Sequence, residues 1–362
     1  MNYFALFMVF FSVLGAIDRI FGCRLGLGKE FEKGIMFLGH MGLSMIGMII
    51  ISPYIAELLR PAFVWIYEVI HLDPSIIPAS LFANDMGGAP LAQEIAQNEK
   101  LGMYNALVVS SMMGCTISFT IPYSLGAVEA KHHKDMLLGF LCGIVTIPVG
   151  CFIAGLISGL GILALTINLL PLIIFSGLIA LGLMLCPSLC VKIFSIFGTL
   201  IKIVITIGLS LGIIRFLTGY EVIKGLATLE EGAAVCLNAS AVMTGAFPFM
   251  YLVGRIVKRP LKAIGQKTGI NEISALGFMS SLATSLTTFE MMEQMDRKGI
   301  VLNSAFAISA AFTFAGHLAF TMAFDSDYLV PVIIGKLVSG VTALVLAVII
   351  FSRTKKPEAE RV

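Results

Sequence analysis

Residues 162–185 read ILALTINLLPLIIFSGLIALGLML, an apolar run that contains no charged side chain. A helix rising about 1.5 Å per residue needs roughly 20 such residues to cross the hydrocarbon core of a bilayer, so this run reads as a membrane span. It lies near the middle of the chain, and comparable runs flank it near 2–18, 34–52, 102–124, 136–158, 193–216, 232–253, 300–323 and 328–352. The expected fold is therefore an all-α, polytopic integral membrane protein with about nine transmembrane helices. Of the 362 residues 58% are hydrophobic and 13% charged, too few charges to cover a water-facing surface.

A net charge of +2 leaves no basic surplus for nucleic acid. The seven cysteines are scattered through apolar runs and read as packing residues. The first run has no basic residue ahead of it and no small-residue cleavage site behind it, so it reads as a retained helix, not a secretory signal. No zinc-protease, nucleophile-elbow or phosphate-loop motif occurs. No catalytic residue, metal site or cofactor is expected.

Two stretches do not fit the spanning pattern. Residues 74–98 and 272–295 are semi-apolar, rich in small and polar side chains, and too short to cross and return as full helices. Both are read as re-entrant hairpins. Lysine and arginine collect on the cytoplasmic side of membrane proteins, which tests the count. With the N-terminus outside, eighteen of the 24 Lys and Arg residues fall on the inner side and four, Arg60, Lys100, Arg215 and Lys224, on the outer. The C-terminus is then cytoplasmic.

The two halves echo one another at an offset of about 197 residues: Gly15 and Arg19 match Gly212 and Arg215, and Asn105 and Ser111 match Asn303 and Ser309. The expected organisation is a first transmembrane repeat, 1–160, a linking helix, 161–189, a second repeat of inverted topology, 190–352, and a cytoplasmic tail, 353–362. A single linking helix would insert the second half upside down. Inverted repeats with paired discontinuous segments are the plan of many secondary transporters.

In the first hairpin Asn84-Asp85-Met86-Gly87-Gly88-Ala89-Pro90 breaks the helix and leaves backbone that must line a cavity. Asp85 would face water, a cation or a basic partner, because an ionised carboxylate at membrane depth is costly; the structural alternatives are a half-helix cap or a permanent pair with Lys336. The second hairpin carries Ser280-Ser281, Thr284-Ser285, Thr287-Thr288 and Glu290. These hydroxyls could bind an alcohol or amine, or could bond to their own carbonyls. His317, apolar on both sides, suits either a packed hydrogen-bonding role or a proton site. Asn105 and Asn303 read as helix caps, while Lys202 and Lys336 could neutralise buried acids or snorkel to the surface.

The chain resembles the EutH ethanolamine permease family over nearly its whole length. The resemblance rests on Gly15-Ala16-Ile17-Asp18-Arg19-Ile20, Leu25-Gly26-Leu27-Gly28, Asn84-Asp85-Met86-Gly87-Gly88, Met295-Asp296-Arg297-Lys298-Gly299, Ala305-Phe306-Ala307-Ile308-Ser309-Ala310-Ala311-Phe312, His317-Leu318 and Ile334-Gly335-Lys336-Leu337. It implies a bacterial inner-membrane transporter of ethanolamine, a small cation bearing one hydroxyl. Two positions depart from the family pattern: Gly316 stands where an acidic residue usually precedes the histidine, and Thr284 to Thr288 replace a break that often carries asparagine and proline. The expected substrate-binding set is Asn84, Asp85, Gly87, Gly88, Thr284, Ser285, Thr287, Thr288, Glu290 and His317. The competing readings are a membrane enzyme acting on a lipid headgroup and a scaffold or sensor.

Overall fold

The computed structural model describes residues 3–354. Asn2, at the head of the first expected span, and all of the expected tail beyond 354 lie outside them. All regular structure among the described residues is helical. Helices α1 (Tyr3–Ile20), α2 (Leu27–Ile70), α3 (Ile76–Leu81) and α4 (Gly88–Ile95) lead into a continuous stretch. That stretch consists of α5 (Glu99–Tyr104), two π-helical segments (Asn105–Gly114 and Thr116–Thr120) and α6 (Ile121–Ala127). Then come α7 (His133–Ile157), α8 (Ile162–Leu185), α9 (Pro187–Thr218), α10 (Leu229–Thr268), α11 (Glu272–Ala283), α12 (Ser285–Glu290), α13 (Arg297–Ala310), α14 (Gly316–Phe324) and α15 (Leu329–Thr354).

Seven continuous helical stretches among the described residues are long and apolar enough to cross a membrane. The outward faces of α8 and α9 carry Leu163, Ile174, Leu178, Ile203 and Ile207, all exposed. Water would not tolerate so wide an apolar surface, whereas lipid matches it. The chain is thus an all-α polytopic membrane protein.

Two groups of helices can be told apart, and they meet where α10 packs on α11 and α14 and where α2 packs on α4. In the first, a frame, α2 packs against α1, α9 and α10, and α1 against α10. The α2–α9 crossing is close because glycine stands on both sides of it: a Cβ on Gly47 would lie 2.1 Å from the Ile205 carbonyl oxygen, and one on Gly208 would lie 2.1 Å from that of Gly47. Only the absent side chains allow the backbones this approach. The second group is a bundle in which α7 packs on α13 and α15, with α3, α4, α11 and α12 gathered around the π-helical stretch and α13. Helix α8 joins the groups, touching α3 and α7 on one side and α9 on the other. At the α1–α2 turn the Asp18 carboxylate accepts the Leu25 and Gly28 N–H groups at 2.8 Å each, which gives the Ile17-Asp18-Arg19 motif a structural role.

The expected span 300–323 is not one helix. Helix α13 stops at Ala310 and α14 starts at Gly316. Between them Phe312 adopts a left-handed φ of 62°, and the N–H groups of Phe312 and Phe314 donate to the carbonyls of Ser281 and Leu282 at 3.0 Å each. Residues 312–314 thus exchange helical bonding for pairing with the end of α11, which keeps their backbone satisfied away from water. Helices α2 and α10, at 44 and 40 residues, overrun their expected spans of 34–52 and 232–253.

Candidate functional site: a cavity between the frame and the bundle

Residues 76–95 and 272–290 each form a short helix, an extended break and a second short helix. In the first, Phe82 and Ala83 are extended, Gly87 is left-handed at φ 100°, and the Gly88 N–H returns to the Ala83 carbonyl at 2.8 Å. Ser118 anchors the break by donating nothing to it but accepting the Ala83 N–H on its hydroxyl at 3.0 Å. In the second, Thr284 is the extended residue, and its hydroxyl caps α12 by accepting the Leu286 N–H at 3.2 Å.

The bases of these two segments are closed by residues that sequence reading missed. The Asp73 carboxylate accepts from Ser75 Oγ at 2.5 Å and from the N–H groups of Gln97 and Asn98 at 3.1 and 2.8 Å. In the other segment Asp296 accepts from Ser274 Oγ at 2.7 Å and from the Asn271 N–H at 2.9 Å. Asn105 and Asn303 are not caps. Asn105 Nδ2 donates to Ser75 Oγ at 2.8 Å and Asn303 Nδ2 to the Ser274 carbonyl at 2.8 Å, while Asn98 and Asp296 cap the helices. A helix that opens three or more residues before the asparagine leaves it free to brace the base of the short-helix pair.

The two breaks reach a cavity of about 750 Å³ between the frame and the bundle. From the bundle it is lined by Asp85, Cys115, Thr284, Phe312 and His317, and from the frame by Phe37, Met41, Lys202, Thr206 and Phe247, among others. Its polar groups on the bundle side are one carboxylate, one hydroxyl and one imidazole, set among aromatic rings. This combination suits a small amphipathic cation.

Of the ten residues expected at the site, the cavity lining includes Asp85, Thr284 and His317. The other seven lie elsewhere. Asn84 is fully buried behind the break, and neither of its amide atoms has a hydrogen-bond partner among the described residues. Gly87 and Gly88 serve the turn: a Cβ on Gly88 would lie 2.2 Å from the Phe82 carbonyl oxygen. Ser285 is buried, Thr288 takes Ser281 Oγ at 3.0 Å and donates to the Gly277 carbonyl at 3.2 Å, and Thr287 is exposed away from the cavity. Glu290 is exposed and accepts from Tyr123 Oη at 3.1 Å.

Lys336, which could have snorkelled, is held inside instead. It is 1% exposed, its amine donates to the Ser111 carbonyl at 2.7 Å, and it stands 3.1 Å from His317 Nδ1. The histidine is therefore held from behind, and with Nδ1 accepting from the amine the ring carries its proton on Nε2.

The fold and the cavity define a polytopic membrane protein with a partly polar, ligand-sized site enclosed between two groups of helices. The sequence profile described as "Ethanolamine utilisation protein, EutH" matches residues 1–350, and the chain belongs to this family. It is 42% identical to the probable ethanolamine permease EutH of Listeria monocytogenes serotype 1/2a (strain 10403S), covering 96% of this chain and 94% of that protein. It is 37% identical to the protein of the same name in Salmonella typhimurium (strain LT2), covering 98% and 97% of the two chains. It is also 35% identical to the uncharacterized protein YxeR of Bacillus subtilis (strain 168), over 93% and 91%. No solved structure matches the chain.

Proposed function

We propose that the chain transports ethanolamine across a bacterial inner membrane, binding it in the cavity between the frame and the bundle. The observation that carries this reading is the convergence of Asp85, Thr284 and His317, from three separate breaks, on one cavity. Asp85 receives the ammonium, the rings of Phe37 and Phe312 flank it, and Thr284 Oγ and His317 Nε2 are the partners for the substrate hydroxyl. The names of the relatives agree with this substrate.

Asp85 and Thr284 come from the breaks of the two short-helix segments and His317 from α14, which packs on α10 of the frame, and the frame adds the apolar side chains Phe37, Met41 and Phe247. Movement of the short-helix segments against the frame would give alternating access to the bound amine. Two segments entering the membrane from opposite sides and returning account for the paired breaks. The bases of the two segments support inverted repeats: the first has Asp73 accepting from the Asn98 N–H, and the second has Asp296 accepting from the Asn271 N–H, so acid and amide exchange places. The N-terminus is assigned to the outside and the C-terminus to the cytoplasm from the lysine and arginine distribution.

The test is uptake of labelled ethanolamine into proteoliposomes containing wild type or D85N, with outside pH on both sides of neutrality. Uptake above empty vesicles that D85N abolishes is expected. Intact uptake and binding in D85N would refute the ammonium assignment, and turnover of a lipid headgroup in detergent without flux would favour an enzyme.

A further inference from the structure

A second cavity, of about 400 Å³, lies beside the first. Phe247 of α10 and Ala283, the last residue of α11, line both, so one aromatic ring and one methyl group stand at their junction. Helices α2 and α10 run antiparallel, since Gly34 lies against Thr244 and Gly26 against Tyr251, and depth can be read along them. The Phe247 ring packs edge-on against Phe37 at 5.9 Å, and both line the binding cavity. Glu30 and Arg255, which with Tyr251 and Ser280 line the second cavity, lie seven and eight residues further along the two helices, or roughly 11 and 12 Å. Arg255 is exposed and Glu30 accepts from Lys33 Nζ at 2.6 Å, so this far end lies among hydrated charges. Arg19, Arg24 and Lys29 belong to the same end, the side assigned to the cytoplasm.

We propose that the second cavity is the cytoplasmic vestibule of the transport route and that the Phe247 ring, set against Ala283, is the gate between it and the binding cavity. The proposal rests on the reading of the larger cavity as the ethanolamine site. Thr284, the hydroxyl partner assigned to the substrate, follows Ala283 directly, so an amine leaving the site meets this junction first. The Ala283 wall is fixed, because the carbonyls of Ser281 and Leu282 hold the N–H groups of Phe312 and Phe314 at 3.0 Å each. The opposite wall can move. It is a half-buried phenyl ring, which turns about its side-chain torsions without breaking the backbone hydrogen bonds that membrane depth demands. Pro248, next in α10, has no N–H to offer the Thr244 carbonyl, and a helix bends most readily at such a place. In place, the ring shuts the binding cavity from the hydrated end; turned aside, it joins the two spaces and sets the width of the amine that passes.

The experiment places a reversible plug in the vestibule. Ser280 lines the vestibule but not the binding cavity. S280C in inside-out and right-side-out membrane vesicles is treated with the membrane-impermeant, anionic methanethiosulfonate reagent MTSES, and wild type treated alike sets the contribution of the native cysteines. Labelling is read by mass spectrometry, alongside binding and flux of labelled ethanolamine. From the cytoplasmic face the reagent is expected to label S280C and to cut flux about tenfold beyond its effect on wild type, with binding within about threefold and flux restored by a reducing agent. Labelling without loss of flux, no labelling from the cytoplasmic face, block from the outer face alone, or equal loss of binding and flux would each overturn the vestibule. The gate is tested by the ratio of diethanolamine flux to ethanolamine flux, which F247A should raise at least about threefold and F247W should lower. A ratio that moves in neither variant would overturn the gate. Failure of the underlying reading shows instead in untreated wild type, which would neither bind ethanolamine nor carry it.

Discussion

Gly114 is the position where a single methyl group would report on the whole first break. It lies at the end of the first π-helical segment, and a Cβ there would sit 1.9 Å from the Phe82 carbonyl oxygen and 2.5 Å from its carbonyl carbon. Normal carbon–oxygen contact is about 3.3 Å, so the carbonyl must move by more than roughly 1 Å. It cannot retreat toward α4, because Gly88 approaches the same oxygen from that side with an equally short virtual contact of 2.2 Å. Phe82 is followed by Ala83, which is tied to Ser118 and Gly88, and Asp85 comes two residues later. Displacing Phe82 therefore displaces the carboxylate. G114A is expected to lose about 1–3 kcal/mol of stability through overpacking and to bind ethanolamine about tenfold to hundredfold more weakly, a cost of roughly 1.4–2.7 kcal/mol. Thermal unfolding in detergent and equilibrium binding measure the two effects. The control is G177A, at a glycine inside α8 with nothing within 4 Å of its Cβ, expected to be neutral or stabilised by up to about 1 kcal/mol. A G114A protein that melts and binds as wild type does would show that Phe82 does not fix the position of Asp85.

Two further outcomes follow from the geometry of the second break. Thr284 borders the cavity whereas Glu290 lies outside it against Tyr123, so T284V should weaken ethanolamine binding by about 1–2 kcal/mol and E290Q should leave it within roughly twofold; equal losses in the two variants would move the site toward α12. Outside the membrane-spanning segments, the hydrogen bond from Lys131 holds the Glu293 carboxyl below its ordinary 4.5. A carboxyl depressed in the folded state adds stability above its unfolded value, lost as pH falls through the folded value. Melting temperature should accordingly decline on acidification below about pH 4.5, and K131M should show a shallower decline over that range; parallel curves for the two proteins would rule the pair out as a contributor.

Most spanning segments were legible because length and hydropathy are properties of a continuous run, and the bilayer reads the same properties. The interruption between Ala310 and Gly316 was not. Ala311-Phe312-Thr313-Phe314-Ala315 is apolar apart from Thr313, and what breaks the helix is backbone pairing with Ser281 and Leu282, a tertiary event that composition does not announce. The lengths of α2 and α10 were hidden for a related reason: hydropathy marks where a helix must stay in lipid, not where it unwinds. In the site, the charged break around Asp85 stood out because glycines, proline and an acid coincide. The hydroxyls of 284–288 did not sort themselves. With the break at Thr284, Ser285 and Thr288 fall on a buried side of α12 and Thr287 on an exposed one, and no pattern of residue types announces where an extended residue will reset the helical face. Asp73 and Asp296 were passed over since each looks like a solvated loop acid; the signal was available in the spacing of Asp73 and Asn98 against Asn271 and Asp296, matched at the repeat offset with the residue types exchanged.

Lys336 shows why burial changes the meaning of a residue more than its type does. Snorkelling is available to a lysine only if its stem has a path along the helix to water, and here the amine is spent instead on the Ser111 carbonyl of the π-helical segment and on His317 Nδ1. Ser111 lies in the first π-helical segment, and its carbonyl accepts from this buried donor on α15. The same contact turns His317 so that its other nitrogen is the one left for the cavity. Asp85 is then the one acid among the described residues that line the cavity, and Lys202 lines the same space from the frame.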